Sequence, residues 1–294
     1  MFILPPMRKI IFLFVLVALF QSCKKEVLET IPGNVPPNDY TIDSTTIQRY
    51  ITRSYILTLG REPDSVEALL AESSLISNHV NESSRNTFVN SIFSSGAYLP
   101  NLYEQNKFNI LNNADTSEFT MWIAIFSNIL NDTTAIFQWP YIQYEVDRLV
   151  QMQNAFAEFT NATIDIRELH RRMCNNYIYD QINMGSANFV ISSFQHLINR
   201  NPTASEQING INMVENNNSF LFLQAGESKE DYLEILTNAS NYYEAQVVLL
   251  YQKYLFRNPT GYEMATGTQL FLSTNDYTAV QKVILTSNEF IGIQ

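Results

Sequence analysis

His170 and Cys174 are the two residues whose types and spacing come nearest to metal chemistry. They stand four positions apart, so on a helix they would share one face. A structural zinc site needs four ligands, and the sequence has no Cys-x-x-Cys or His-Glu-x-x-His motif to complete the set. We therefore expect no metal and no other cofactor, with His170 partly exposed and Cys174 a small buried thiol.

Other catalytic signatures in the sequence are incomplete. Ser228 follows Gly226 but lacks the second glycine of a nucleophile elbow, so we expect it to cap a helix. Residues 113–117 have the spacing of calcium ligands, but Glu118 stands where the loop needs glycine, which favours a turn before a helix. No glycine-rich phosphate loop is present. The sequence therefore predicts no catalytic residues.

Trp122 and Trp139 raise a different chemistry, because exposed aromatic rings stack on sugars. Trp122 lies in the apolar segment 119–126, which predicts a buried helix with this ring in the core. Trp139 precedes Pro140 at an expected helix break, where exposure is easier. Trp139 is accordingly the residue we expect to contact a glycan.

The chain opens with a basic pair and an apolar run. Arg8 and Lys9 precede residues 10–20, eleven apolar positions that end shortly before Cys23. This pattern is typical of a secretory signal peptide, and the run is too short for a membrane span of about 20 residues.

The segment Leu19-Phe20-Gln21-Ser22-Cys23 resembles the lipobox of Bacteroidetes-type bacterial lipoproteins. The resemblance implies that residues 1–22 are a signal peptide that is removed. It also implies that Cys23 is lipidated and anchors the chain in the outer membrane, with the periplasmic or cell-surface face left open. Residues 23–44 contain several prolines and predict a flexible tether.

Three segments align without gaps around an Arg-x-Pro-[Asp/Thr]-x-x-Glu motif. Each also has an aromatic residue six positions before the arginine and an aliphatic residue two before it. The motif residues are Arg61, Pro63, Asp64 and Glu67; Arg200, Pro202, Thr203 and Glu206; and Arg257, Pro259, Thr260 and Glu263.

The motif describes the corner between two helices. Asp or Thr with Glu three positions later is a capping box, and the proline before it cannot continue the preceding helix. Two roles stay open for the arginine: it binds the last carbonyls of the ending helix, or it pairs with the glutamate.

The capped corners, the low glycine content and the apolar-periodic stretches predict an all-α fold with a single helical body, and the repeat spacing gives its layout. We place the first repeat at 45–103, a helical insert at 104–190 and the second and third repeats at 191–294. Within the insert, Ile166, Leu169, Met173 and Tyr177 form an apolar stripe on one helix, behind a cap at Asp165.

Leu59-Gly60-Arg61-Glu62-Pro63-Asp64 resembles the L-G-R-x-P-[D/T] helical domains of bacterial surface and secreted proteins, which look similar to phycobilisome linker modules. The resemblance implies helical packing and a role in assembly. A net charge of −11 argues against a nucleic-acid partner, and two cysteines are too few for a disulfide framework.

Three functions follow from these observations. The leading hypothesis is a non-enzymatic envelope lipoprotein that anchors to the membrane through Cys23 and binds a protein partner. The stretch from Cys23 through Leu28-Glu29 to Pro32 is similar to the opening of SusD-like starch-binding lipoproteins. That likeness gives the alternative of a glycan-binding protein of an outer-membrane uptake system. A metal-dependent enzyme centred on His170 is the third.

Overall fold

Regular structure is almost wholly helical within residues 42–293, the part of the chain that the computed structural model describes. This part contains fifteen α-helices and one two-stranded hairpin. The all-α fold predicted from the sequence is therefore confirmed. The predicted leader, the lipid attachment at Cys23 and nearly all of the predicted tether lie outside the described residues.

The helices are α1 (Ser44–Leu59), α2 (Ser65–Ser77), α3 (Glu82–Phe93), α4 (Tyr98–Leu111), α5 (Thr116–Leu130), α6 (Trp139–Thr160), α7 (Ile166–Cys174), α8 (Tyr177–Ile182), α9 (Ser186–Ser193), α10 (Ala204–Val214), α11 (Lys229–Asn238), α12 (Ser240–Leu255), α13 (Gly261–Thr274), α14 (Tyr277–Leu285) and α15 (Asn288–Ile291). A 3-10 segment, Thr133–Gln138, precedes α6, and a π-helical turn, Phe194–Ile198, continues α9. The antiparallel hairpin pairs β1 (Ser219–Leu221) with β2 (Gln224–Gly226).

From Ile42 onward the chain forms one compact unit around a core rich in aromatic residues. Buried tyrosine hydroxyls need hydrogen-bond partners: Tyr232 pairs with Ser193 at 2.7 Å, whereas the Tyr50 hydroxyl has no partner within residues 42–293. The largest fully buried aromatic side chains are Tyr50, Tyr179, Tyr232, Tyr242, Tyr254, Phe194, Phe271 and Phe290. None of the helices within residues 42–293 is both long and apolar enough to cross a membrane.

Helix α7 agrees in part with the sequence pattern. Asp165 caps it by accepting a hydrogen bond from the backbone of the third helical residue, as expected. The prediction that this helix continues to Tyr177 is wrong, because α7 ends at Cys174 and Asn176 caps a new helix, α8. The three buried members of the predicted stripe are Ile166, Leu169 and Met173.

Helix α5 is not buried on all sides, contrary to the prediction for residues 119–126. Phe119 and Phe126 are its buried residues, whereas Met121 and Ile125 are exposed. Because residues 119–126 are apolar on nearly every side, the sequence did not indicate which side of α5 faces the core. Trp122 is half-buried against the core, in an edge-to-face contact with an aromatic ring of α8, as its apolar neighbours predict.

The predicted divisions of the chain do not coincide with element boundaries. The division at 103/104 falls inside α4, and the one at 190/191 falls inside α9. Helix α4 packs against α1 as well as against α6 and α7, so the insert and the repeats share one core. The first helix begins at Ser44, which is also the last residue of the predicted tether.

Candidate functional site

Each of the three predicted corners joins two packed helices. The pairs are α1 with α2, α9 and its π-helical turn with α10, and α12 with α13. At every corner the arginine binds the glutamate through both Nη atoms, with N–O distances of 2.6–2.8 Å. The pairs are Arg61 with Glu67, Arg200 with Glu206, and Arg257 with Glu263.

The aromatic residue six positions before each arginine contacts that arginine. Its guanidinium lies 5.3–5.5 Å from the centroid of that ring, within the range of a cation–π contact. Its Nη1 atom donates to the carbonyl of the next residue at 2.9–3.0 Å. Of the two roles left open by the sequence, the arginine therefore pairs with the glutamate. The three rings belong to Tyr55, Phe194 and Tyr251.

The second helix of each corner begins with a complete capping box. The cap side chain accepts from the N3 backbone N–H, while the glutamate carboxylate accepts from the cap backbone N–H at 2.7–2.8 Å. The glutamate therefore ties the corner together from both sides. The caps are Asp64, Thr203 and Thr260, each preceded by a proline: Pro63, Pro202 and Pro259.

Electrostatics of the corner glutamates follow from these contacts. Hydrogen bonds from the arginine, supported by the cap backbone, lower the pKa of each carboxyl from its usual 4.5 to about 2. In the third corner Arg257 also binds Glu289 of α15, at 2.5 and 2.7 Å. That contact fastens the last helix of the described chain to the corner.

The residue before each arginine has a left-handed backbone. Gly60 and Asn199, at φ 70° and 55°, are residue types that adopt this conformation at low cost. The third corner has Phe256 there at φ 55°, which is uncommon for a bulky side chain. The ring of Phe256 is 75% exposed and lies 5.4 Å from the guanidinium of Arg53.

A further shared position escaped the sequence analysis. Ten residues after each arginine the second helix has a small residue, and ten residues before it the first helix has a β-branched one. A Cβ at Gly210 would lie 3.0 Å from Val190 Cγ1, and one at Gly267 would lie 3.0 Å from Val247 Cγ1. Extending the three-way alignment by four residues at each end reveals this pattern, which the first corner repeats with Ile51 and Ala71.

His170 and Cys174 are both enclosed by the surrounding helices. His170 is buried, which corrects the expectation of partial exposure, and both ring nitrogens are in hydrogen bonds: Nδ1 with Tyr242 Oη at 2.9 Å and Nε2 with Asn106 Oδ1 at 2.7 Å. Burial lowers the pKa of His170 to about 4 and raises that of the Cys174 thiol to about 12. Across residues 42–293, no group of three or more His, Cys, Asp or Glu side chains is arranged to hold a metal ion.

Trp139 is the first residue of α6 and is half-buried. Its indole Nε1 donates to the backbone oxygen of Asp132 at 3.2 Å, which fixes the ring. The ring lines a shallow cavity of about 450 Å³ together with Ile136. Phe137, two positions earlier in the chain, is 96% exposed.

A partly buried ion network joins α6, α8 and α11, and of its contacts only the Glu145–Arg148 pair has a spacing that sequence could indicate. Arg148, almost fully buried, binds Glu145 and also Asp180, the latter at 3.0 Å. Lys229 binds the same Asp180 at 2.9 Å. Because an unpaired buried charge is costly, moving α8 away from α6 would leave Arg148 without one of its two carboxylate partners.

Most apolar side chains of helix α2 point away from the core. Val66, Leu69 and Leu70 are 62%, 66% and 65% exposed, and Ile76 is exposed as well. At 100° per residue these four side chains share one face, opposite the single buried side chain, Leu75. We call this set the α2 face. Within the described residues, nothing covers it.

Comparison of the chain with protein families, with curated proteins and with solved structures finds no match.

Proposed function

We propose that this chain is a non-enzymatic lipoprotein of the bacterial envelope, whose helical body docks a protein partner on the α2 face. The observation that carries the proposal is the exposure of Val66, Leu69 and Leu70 on one side of α2. Contiguous exposed apolar side chains on a helix are typical of an interaction surface.

The charge of α2 favours a protein over a lipid surface as the occupant. The helix contains Glu67 and Glu72 and no lysine or arginine. Amphipathic helices that lie on membranes have basic residues on their polar side, which attract anionic lipid headgroups. An acidic helix gains nothing from that attraction.

The first corner supports docking by holding α2 rigidly. The capping box at Asp64 fixes the start of the helix, and the Arg61–Glu67 pair ties it to the end of α1. Farther along, Gln48 of α1 donates to Glu72 of α2 at 2.9 Å. A face that is ordered before binding loses little conformational entropy when a partner docks.

Attachment through Cys23 completes the proposal. The lipobox resemblance at residues 19–23 supports lipidation there, and the residues up to Thr41 would then separate the anchor from the helical body. On this account the anchor confines the protein to the membrane, and the α2 face recruits the partner.

The test is affinity capture of the tagged, natively lipidated protein from its own envelope after chemical crosslinking, followed by mass spectrometry. We expect one partner at near-stoichiometric yield, lost in the double variant Leu69→Glu/Leu70→Glu. The matched control is Ile208→Glu, since Ile208 is 60% exposed and occupies the position of Leu69 in the second repeat. Equal yields from the double variant and the control would contradict the proposal.

Glycan binding at Trp139 is the second candidate function. It is favoured by the fixed indole ring on the wall of a shallow cavity, and by the exposed ring of Phe137 two positions earlier in the chain. Calorimetry against a glycan panel tests it: we expect binding that Trp139→Ala abolishes and Trp122→Ala leaves in place. Absence of binding to every glycan of the panel would count against this function.

A further inference from the structure

A cavity of about 630 Å³ between α4 and α12 has six carboxamide side chains in its wall, and we call it the amide cavity. Its volume falls in the range of small-molecule sites, roughly 300–1,000 Å³. Each carboxamide offers both donors and an acceptor, the combination that matches sugar hydroxyls. The six amide side chains are Asn101, Gln105, Asn106, Asn109, Asn113 and Gln246.

Several of these amides are held in place by the surrounding protein. Asn106 donates through Nδ2 to the backbone oxygen of Leu102 at 2.8 Å, so its Oδ1 atom is the acceptor toward His170 Nε2. His170 must then donate from Nε2 and accept at Nδ1 from the Tyr242 hydroxyl. Asn101 is fixed as well, since its Nδ2 donates to a backbone oxygen of α1 at 2.9 Å. These two amides are therefore held in place before any ligand arrives.

Lys253 brings a positive charge to this neutral wall. Its Nζ atom donates to Gln105 Oε1 at 2.7 Å, and no carboxylate within residues 42–293 lies within 4.0 Å of it. Glu104, which also lines the cavity, is bound by Lys107 at 2.7 Å. An ammonium has three donors, so Lys253 retains hydrogen-bonding capacity toward an anion.

An exposed aromatic ring completes the cavity. Phe108 lines it and is 66% exposed. Burying that ring against the C–H side of a pyranose would remove apolar surface from water.

We propose that the amide cavity binds a carboxylated sugar of the uronic-acid class. The sugar carboxylate accepts hydrogen bonds from Lys253, its hydroxyls pair with the carboxamides, and its apolar side rests on Phe108. The site is separate from the α2 face and from Trp139, so its test does not depend on either of them.

Titration calorimetry of the folded protein with galacturonate, glucuronate and oligogalacturonate tests the proposal, with galactose as the neutral comparison. We expect at least one uronate to bind about tenfold more tightly than galactose, or more. Binding of the oligosaccharide alone would support a site for a polysaccharide chain instead of a free sugar. Absence of binding by all three uronates would overturn the proposal.

Variants locate the binding. Lys253→Met should weaken uronate binding about tenfold or more, while Lys282→Met, the same change outside the cavity, should leave it unaltered. Phe108→Ala removes a side chain that is 66% exposed, and it should also weaken binding. Uronate affinity unchanged in both Lys253→Met and Phe108→Ala would overturn the proposal.

Discussion

Val190 of α9 lies so close to Gly210 of α10 that a Cβ at Gly210 would be 3.0 Å from Val190 Cγ1 and 2.9 Å from Tyr232 Cε2. The third repeat has the same arrangement with Val247 and Gly267. The helices of each pair therefore approach at a point where one of them has no side chain. The corner sets where the chain turns, and this contact sets how closely the two helices pack.

Gly210→Ala should lower the free energy of unfolding by about 1–3 kcal/mol. Alanine is the better helix former by about 1 kcal/mol, but its methyl would overlap Val190 and Tyr232, and overpacking a closed contact costs more. Urea unfolding followed by circular dichroism measures the change. Gly261→Ala is the control, because a Cβ there meets nothing within 4 Å and should leave stability equal or higher.

The corner glutamates should make the protein sensitive to acid. The pKa values of Glu67, Glu206 and Glu263 fall from 4.5 to about 2 on folding, so their stabilisation is fully present above pH 4.5. It is lost as the pH falls from about 4.5 to about 2. Each pair is partly exposed, so solvent screening limits its contribution to about 1 kcal/mol.

Replacing all three glutamates by glutamine should lower stability at pH 7 and flatten its pH dependence between about 4.5 and 2. Unfolding curves measured at a series of pH values give both quantities. Glu62→Gln, an exposed change beside the first corner, should alter neither. An unchanged slope in the triple variant would show that the corners do not govern acid sensitivity.

Phe256→Asn should raise the free energy of unfolding by about 0.5–1 kcal/mol. A left-handed backbone costs a bulky residue roughly 1–2 kcal/mol, which asparagine largely avoids. The variant loses a stacking contact with Arg53 worth about 0.5–1 kcal/mol, but Arg53 keeps its bonds to the backbone oxygens of Tyr254 and Phe290. Asn199→Phe, the reverse change in the second corner, should destabilise. A less stable Phe256→Asn would mean that the ring contacts outweigh the backbone strain.

Uronate binding to the amide cavity should weaken as the pH rises above about 8. Burial lowers the pKa of Lys253 to about 8, and the ligand carboxylate stays ionised throughout this range. Three other titratable groups lie at or beside the Lys253 ammonium. Glu104 is paired with Lys107. Burial raises the pKa of Tyr254 and of Tyr277, so both phenols remain neutral in this pH range.

Calorimetry between pH 7 and 10 measures this dependence. Affinity for galacturonate should fall up to about tenfold per pH unit once Lys253 loses its proton. Lys253→Arg retains the charge and should remove the pH dependence while keeping part of the affinity. A wild-type affinity that does not change over this range would place the anion elsewhere.

The corners could be predicted because their interactions are local. The arginine, cap and glutamate lie within six residues of one another, so an ungapped alignment with capping rules identifies them before any tertiary structure is known. The left-handed position was visible as Gly60 in the first copy only. Phe256 obscured it in the third, because a bulky residue is not expected there.

Features that depend on distant contacts could not be predicted. The sequence predicts partial exposure of His170, yet it is enclosed by α4 and α12, which contribute Asn106 and Tyr242. The amide cavity joins residues about 150 positions apart, such as Gln105 and Lys253. The α2 face could not be predicted either. An apolar side of a helix is expected to be buried, and on α2 that side is exposed.

Site-specific photocrosslinking on the α2 face tests the central claim most directly. A photoreactive phenylalanine analogue replaces Leu70 in one sample of the natively lipidated protein and Ile208 in the other, and adducts are identified after irradiation of intact envelopes. We predict that one protein is crosslinked from position 70 and is absent from position 208. The same adducts from both positions, or none from position 70, would contradict docking on the α2 face.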